Sequence, residues 1–444
     1  WLGQIAPSLA GSRYTALHPL GSLEDHLYMC REAGLRVLLV DPAYAERAAQ
    51  LQAQSGVVEH VFTFGPAEVG RDMLAAASDI GSFSLPRTAG RHDQVAWLLY
   101  TGGTTGVPKA AMLPESNLFQ MVQSVSLGWD LPMHKRYLAV APISHAAGMI
   151  ITPTLMCGGT VILQKGWDPQ RWMDLVARER ATVSLLVPTM IYALLDAPGL
   201  SGADLGSLET IMYGASPMSP TRLIEGIERI GPVFSQLYGQ TECTGVISAL
   251  WRHQHDVKNV ARLSSCGQPM PGVRVAILDD EGRPVPPGTP GEICVQGPTV
   301  MRGYHRQPDL TAGTLVDGWL HTGDVAVEDD EGFYTIVDRK KDMIVSGGFN
   351  VFPREIEDVL TGDPAVSAAA VIGVPDDKWG EAVKALVVVK PGMSADAQAL
   401  VERVRSSKGA IYAPKSVEFV ESLPLTPVGK PDKKLLRARY WQGR

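Results

Sequence analysis

Leu98-Leu99-Tyr100-Thr101-Gly102-Gly103-Thr104-Thr105-Gly106-Val107-Pro108-Lys109 sets an apolar run directly against three glycines, three threonines and a lysine. The run Val95–Tyr100 reads as a buried strand. The loop beyond it suits a polyphosphate: glycines let backbone N–H groups approach an anion closely, threonine hydroxyls add donors, and lysine supplies charge. The loop is not a Walker loop, because Val107-Pro108 separates Gly106 from Lys109 and Ala110 comes directly after the lysine.

Working outward, similar apolar runs recur at Val37–Val40, Tyr137–Ala141, Thr160–Leu163, Val183–Val187, Thr210–Tyr213 and Val233–Leu237, all read as buried strands. Helical patterns lie between them. In Asp168-Pro169-Gln170-Arg171-Trp172 the aspartate can cap a helix and the proline can take its first position. Trp172, Leu175 and Val176 then share one face. Such alternation predicts α/β layers built on a largely parallel sheet.

The texture changes from about Cys266, where short strands (Val273–Leu278, Gly291–Val295, Gly332–Val337) alternate with Gly/Pro/Asp turns. A β-rich subdomain over about 246–340 is expected. The charged cluster Asp338-Arg339-Lys340-Lys341-Asp342 then marks a boundary. Beyond it comes a Pro353-started helix with Ile356, Val359 and Leu360 on one face, then alternating strand and helix signals. The expected division is 1–340 for a large N-terminal domain and 341–444 for a small α+β C-terminal one.

With 444 residues, two or three domains are expected. The formal charge of 40 − 47 = −7, without a strongly basic stretch, argues against nucleic-acid binding. Five scattered cysteines with no C-x-x-C pair read as reduced packing residues of a cytoplasmic protein, not a disulfide frame or zinc site. No apolar run suffices for a transmembrane segment. Trp1 opens the chain as if in mid-domain, so an N-terminal segment is expected ahead of it.

Two further segments offer chemistry. In Tyr238-Gly239-Gln240-Thr241-Glu242, tyrosine gives a purine a face, glycine allows close approach, threonine can donate to a phosphate and glutamate can hold Mg²⁺. In Trp319-Leu320-His321-Thr322-Gly323-Asp324, one carboxylate can accept from both ribose hydroxyls. Taken singly, the first reads equally as a strand end and the second as a β-turn.

Together and in this order, these motifs resemble the adenylate-forming superfamily of acyl-CoA synthetases, firefly-type luciferases and peptide-synthetase adenylation domains. Gly214-Ala215-Ser216-Pro217, Gly267-Gln268-Pro269, Gly291-Glu292-Ile293, Asp338-Arg339 and Pro424-Leu425-Thr426-Pro427-Val428-Gly429-Lys430 extend the resemblance through nearly the whole chain. The run from Asp338 through Gly347-Gly348 to Glu357 is most similar to fatty-acyl or related acyl-CoA synthetases.

The resemblance implies a mobile C-terminal lid, and ATP, Mg²⁺ and coenzyme A as reactants. By it, Thr101, Gly102, Gly103, Thr104, Thr105, Gly106 and Lys109 hold the β- and γ-phosphates. Gly214, Ala215, Ser216 and Tyr238 bracket the adenine, and Gly239 lies beside them. Thr241 touches the α-phosphate, Glu242 ligates Mg²⁺, and Asp324 and Arg339 hold the ribose. Lys430 is the catalytic lysine, Lys341 the hinge, and Gly347 and Gly348 line the coenzyme A channel. His145 gates an acyl pocket shared with Tyr213 and Gly239.

The chain departs from the pattern at Gly102, where relatives often carry Ser, at Ala110, where Gly is usual, and at Glu115, which adds negative charge near the phosphate loop. These raise the alternative of an enzyme performing only one half-reaction. Loading of a carrier protein and a non-catalytic nucleotide- or acyl-binding homologue are further alternatives. Apolar pocket segments point to a hydrophobic carboxylic acid (fatty, aryl or polycyclic), and a homodimer is admitted.

Overall fold

The computed structural model of the chain describes residues 1–19, 21–81, 92–101, 108–339, 342–346, 349–376, 379–426 and 430–441, with Arg339 and Asn350 described by backbone alone. The described residues gather into two compact units. The first comprises Trp1–Met121, Thr241–Thr244 and Pro298–Val316; the second comprises Val122–Gln240, Gly245–Gly297 and Asp317–Arg444.

In the first unit, Val37–Val40, His60–Thr63 and Arg71–Asp72 form a small parallel sheet. Val95–Thr101 pairs antiparallel with Lys109–Pro114, in a register that sets Thr101 opposite Lys109. The expectation that Val95–Tyr100 belongs to the parallel layer is therefore corrected: its partner is the antiparallel strand Lys109–Pro114. Apolarity reports burial but not the identity of the neighbouring strand. Ala96 and Leu98 are fully buried, as are Ala110, Ala111 and Leu113.

The second unit is built on a seven-stranded sheet. Its parallel part runs Phe234–Tyr238, Thr210–Gly214, Val183–Leu186, Arg136–Ala139, Thr160–Leu163. Ser248–Leu250 and Gln268–Pro269 extend it antiparallel. The β-rich texture expected from about 246 thus begins inside this sheet, and the separate antiparallel sheet starts at Arg274–Leu278. Helix Pro169–Glu179 covers the main sheet as its pattern predicts. Asp168 accepts the Arg171 N–H at 2.7 Å, and Trp172, Leu175 and Val176 are buried in the core with Leu186, Ile211, Tyr213 and Phe234.

Two runs read as buried are only half so. Val37 and Leu163 are 48% and 64% exposed. Among the described residues, both Val37–Val40 and Thr160–Leu163 are edge strands with a neighbour on one flank. Cys157 is likewise exposed rather than packed, while Cys30, Cys243, Cys266 and Cys294 are buried.

The antiparallel sheet places Gly291–Gln296 between Arg274–Leu278 and Trp319–Glu328, with Tyr334–Arg339 beyond. From 342 onward the chain makes its own core of Ile344, Val351, Ile356, Leu360, Val371, Val383, Val387 and Leu400. Helix Pro353–Thr361 ties this part to the rest of the second unit: Arg354 donates to Ile336 O at 2.8 Å, and Thr361 Oγ1 to Ser219 Oγ at 3.1 Å. No helix among the described residues is long and apolar enough to cross a membrane.

Candidate active site

In the first unit, the strand register sets Lys109 opposite Thr101. Its Nζ lies 3.2 Å from Glu242 Oε1 and donates to the Tyr304 hydroxyl. That hydroxyl donates to the same Glu242 Oε1 at 2.7 Å. Burial and the Glu242 charge push the Tyr304 phenol well above its ordinary value, so it stays a donor. Thr101 Oγ1 is buried without a hydrogen-bond partner among the described residues, as is Thr244 Oγ1. Unpaired buried hydroxyls are costly, and a ligand oxygen here would satisfy them. Thr241 opens the short turn Thr241–Cys243 that presents Glu242. Gly102, Gly103, Thr104, Thr105 and Gly106 lie outside the described residues.

Two of the departures have a local structural setting. Ala110 sits in a strand and not among the positive-φ residues, so its methyl imposes no strain. Glu115 opens the helix Glu115–Gly128, where its charge complements the N-terminus.

In the second unit, Asp324 is 3% exposed. Its Oδ2 accepts the Tyr238 hydroxyl at 2.7 Å and Gln240 Nε2 at 2.8 Å. Burial, followed by the nearby Asp324 charge, pushes the Tyr238 phenol well above its ordinary value. The backbones of Asp324 and Arg339 are paired across adjacent strands. Behind them, Glu292 brackets the turn leading to Asp324: Oε1 accepts the Gly323 N–H at 2.8 Å and Oε2 accepts His321 Nδ1 at 3.0 Å. Thr322 Oγ1 completes the bracket by donating to Ile293 O at 2.6 Å.

Gly239 is required by close approach, since a Cβ there would lie 2.1 Å from the Gly245 carbonyl carbon. Ala215 holds φ 64° between Gly214 and Ser216, a strained conformation of the kind that gathers at binding sites. His145 Nδ1 lies 2.9 Å from Ser144 Oγ. Tyr213 is fully buried; its hydroxyl meets His255 Nε2 at 3.0 Å, and its ring packs edge-on to Phe234. Thr426 N–H donates to Lys430 O at 2.7 Å and Lys430 N–H to Thr426 Oγ1 at 3.1 Å. Lys341, Gly347 and Gly348 lie outside the described residues.

Sequence reasoning missed Gln240, Glu292 as a bracket, and Tyr304. Gln240 lay inside a segment already singled out, whereas Tyr304 approaches Lys109 and Glu242 only through the fold. For a metal, the Glu242 carboxylate supplies the hard oxygen Mg²⁺ prefers. Its contacts with Tyr304 and Lys109 both fall on Oε1. Glu292, Cys294 and His321 also bring potential ligand atoms within 4.8 Å of one another. The Glu292 oxygens and His321 Nδ1 are already engaged in the bracket, so this trio reads as a hydrogen-bonded support.

The first unit thus carries a lysine–glutamate pair bridged by Tyr304, and the second a buried carboxylate held by tyrosine and glutamine. The AMP-binding enzyme family model matches residues 2–305 and the AMP-binding enzyme C-terminal domain model matches 355–430; the chain belongs to this family. The chain is 47% identical to the medium/long-chain-fatty-acid–CoA ligase FadD8 of Mycobacterium tuberculosis, over 98% of this chain and 78% of that protein. To a feruloyl-CoA synthase of Amycolatopsis sp it is 40% identical, over 94% and 86%. Among solved structures, the amide bond synthetase McbA from Marinactinospora thermotolerans superposes with a TM-score of 0.90 at 35% identity, covering 98% of this chain and 86% of that one.

Proposed function

We propose that this chain is an AMP-forming acid–thiol ligase acting on a hydrophobic carboxylic acid, fatty or aryl. A carboxylate oxygen attacks the α-phosphorus of ATP, the bond to the β-phosphate bridge breaks, and acyl-AMP forms with release of pyrophosphate. The thiol of coenzyme A then attacks the acyl carbon and AMP leaves. The observation that carries this reading is the Lys109–Tyr304–Glu242 cluster beside the strand pair Val95–Thr101 and Lys109–Pro114. It sets a cation for phosphate beside a carboxylate for its metal.

In this reading Thr101–Lys109 holds the β- and γ-phosphates, and Thr241 the α-phosphate. Gly214–Ser216, Tyr238 and Gly239 frame the adenine, while Asp324 and Arg339 take the ribose. Glu242 would hold Mg²⁺, which supplies charge neutralisation to the phosphates when bound. Lys430 bridges the two anions that meet at the α-phosphorus, stabilising the transition state more than the separated reactants. Residues 341–444 act as a lid turning about Lys341 to bring Gly347 and Gly348 to the pantetheine arm. His145 gates the acyl pocket. The relatives named as fatty-acid and feruloyl ligases support the acid class.

The test is incubation with fatty and aryl acids, ATP, Mg²⁺ and coenzyme A, with products read by mass spectrometry. Acyl-AMP and acyl-CoA from at least one acid are expected. Neither product from any acid class defeats the reading.

A further inference from the structure

We infer that Tyr304 is a positioning residue for the metal carboxylate Glu242. The inference takes from the ligase reading only that Glu242 is the group facing Mg²⁺. Tyr304 has no direct part in the proposed chemistry, yet three features converge on it. Its hydroxyl donates to Glu242 Oε1 at 2.7 Å, on the one carboxylate oxygen that also faces Lys109. Its ring lies 4.2 Å from Lys109 Nζ, so it holds the ammonium by its face as well as its oxygen.

Its backbone, moreover, is braced against the same two elements. Met112 N–H donates to Gly303 O at 2.9 Å, His305 N–H to Ala110 O at 2.8 Å, and Met301 N–H to Glu242 O at 2.8 Å. The segment 301–305 thus makes an isolated antiparallel bridge, Tyr304 to Ala111, with the strand Lys109–Pro114 and fixes the Glu242 turn at the same time. Tyr304 N–H is itself tied to Thr311 Oγ1 at 2.9 Å.

The physical consequence is a division of labour between the two carboxylate oxygens. A donor fixed on Oε1 sets the carboxylate plane and with it the direction of Oε2. Without metal, Lys109 neutralises the carboxylate. When Lys109 turns to a phosphate, Tyr304 keeps Glu242 oriented. Glu242 is only 8% exposed, so water is a poor substitute for that bond. A protonated phenol suits the task because it carries no charge to compete with the metal.

The experiment is isothermal titration of ATP into the whole chain, with Mg²⁺ present and with EDTA, for wild type and Tyr304→Phe. Phenylalanine keeps the ring over Lys109 and deletes only the hydroxyl. The expected result is about three- to tenfold weaker binding of ATP with Mg²⁺ and little change with EDTA. In a Glu242→Gln background, Tyr304→Phe adds nothing further, because its effect passes through that carboxylate. Equal weakening with and without Mg²⁺, no weakening at all, or a full additive loss in the Glu242→Gln background overturns the inference. Loss of ATP binding by the wild-type chain in both conditions overturns it together with the ligase reading. Wild-type binding with no acyl-AMP from any acid defeats only the ligase reading, and the titration still decides Tyr304.

Discussion

Replacing Glu292 by alanine removes the acceptor for two donors at once, Gly323 N–H at 2.8 Å and His321 Nδ1 at 3.0 Å. The Glu292 side chain is 9% exposed, so the backbone donor is left unsatisfied out of reach of water. His321, at 22%, can recruit solvent in part. An unsatisfied buried donor costs about 1–3 kcal/mol, which places the total at about 2–4 kcal/mol. The turn it frees carries Asp324. Re-ordering one backbone residue on each binding event costs about 1–2 kcal/mol, or roughly a five- to thirtyfold rise in KM for ATP. The adenosine moiety is bound in both half-reactions, so KM for supplied acyl-AMP rises by a similar factor. Glu292→Gln keeps an oxygen for Gly323 and falls between wild type and alanine. The assay is a urea melt with steady-state kinetics on ATP and on acyl-AMP. A lowered melt midpoint with both KM values unchanged within about twofold refutes the link from the bracket to the ribose site proposed at Asp324.

Lys430→Ala abolishes acid-dependent pyrophosphate exchange while largely sparing thioester formation from supplied acyl-AMP; equal damage to both steps removes the role assigned to it. His255 is held neutral, its pKa lowered by burial to about 4. The unfolded chain, with an ordinary histidine near 6.5, takes up the proton first as pH falls. The group's contribution is complete above pH 6.5 and lost toward pH 4, on the order of 1–2 kcal/mol by pH 5. His255→Gln flattens the fall in urea midpoint between pH 6.5 and 5. Asp168→Ala removes the cap on helix Pro169–Glu179 and lowers stability by about 1 kcal/mol in the same melt.

The strands of the main sheet and its covering helix were legible because burial on both faces demands continuous apolar runs, and because Asp168-Pro169 encodes a helix start in local chemistry. The pairing partners were not. Val95–Thr101 and Thr210–Gly214 look alike as text, yet one joins an antiparallel pair and the other a parallel layer. Edge position was equally silent, so Leu163 was expected inside and lies 64% exposed. For the site, the motif residues were readable as segments, whereas their mutual arrangement was not. Asp324 is clamped by Tyr238 and Gln240, and Glu242 by Tyr304. Those contacts join residues remote in sequence, and no local spacing rule reaches that far.

At the centre of the proposed chemistry, the acid's own oxygen becomes bonded to the α-phosphorus of ATP. A carboxylic acid labelled with ¹⁸O in both carboxylate oxygens, turned over with ATP, Mg²⁺ and coenzyme A, tests it directly. Acyl-adenylate formation predicts that one labelled oxygen appears in the AMP released, none in pyrophosphate, and one in the thioester carbonyl. Label in inorganic phosphate with ADP as the product, or unlabelled AMP alongside thioester, contradicts it.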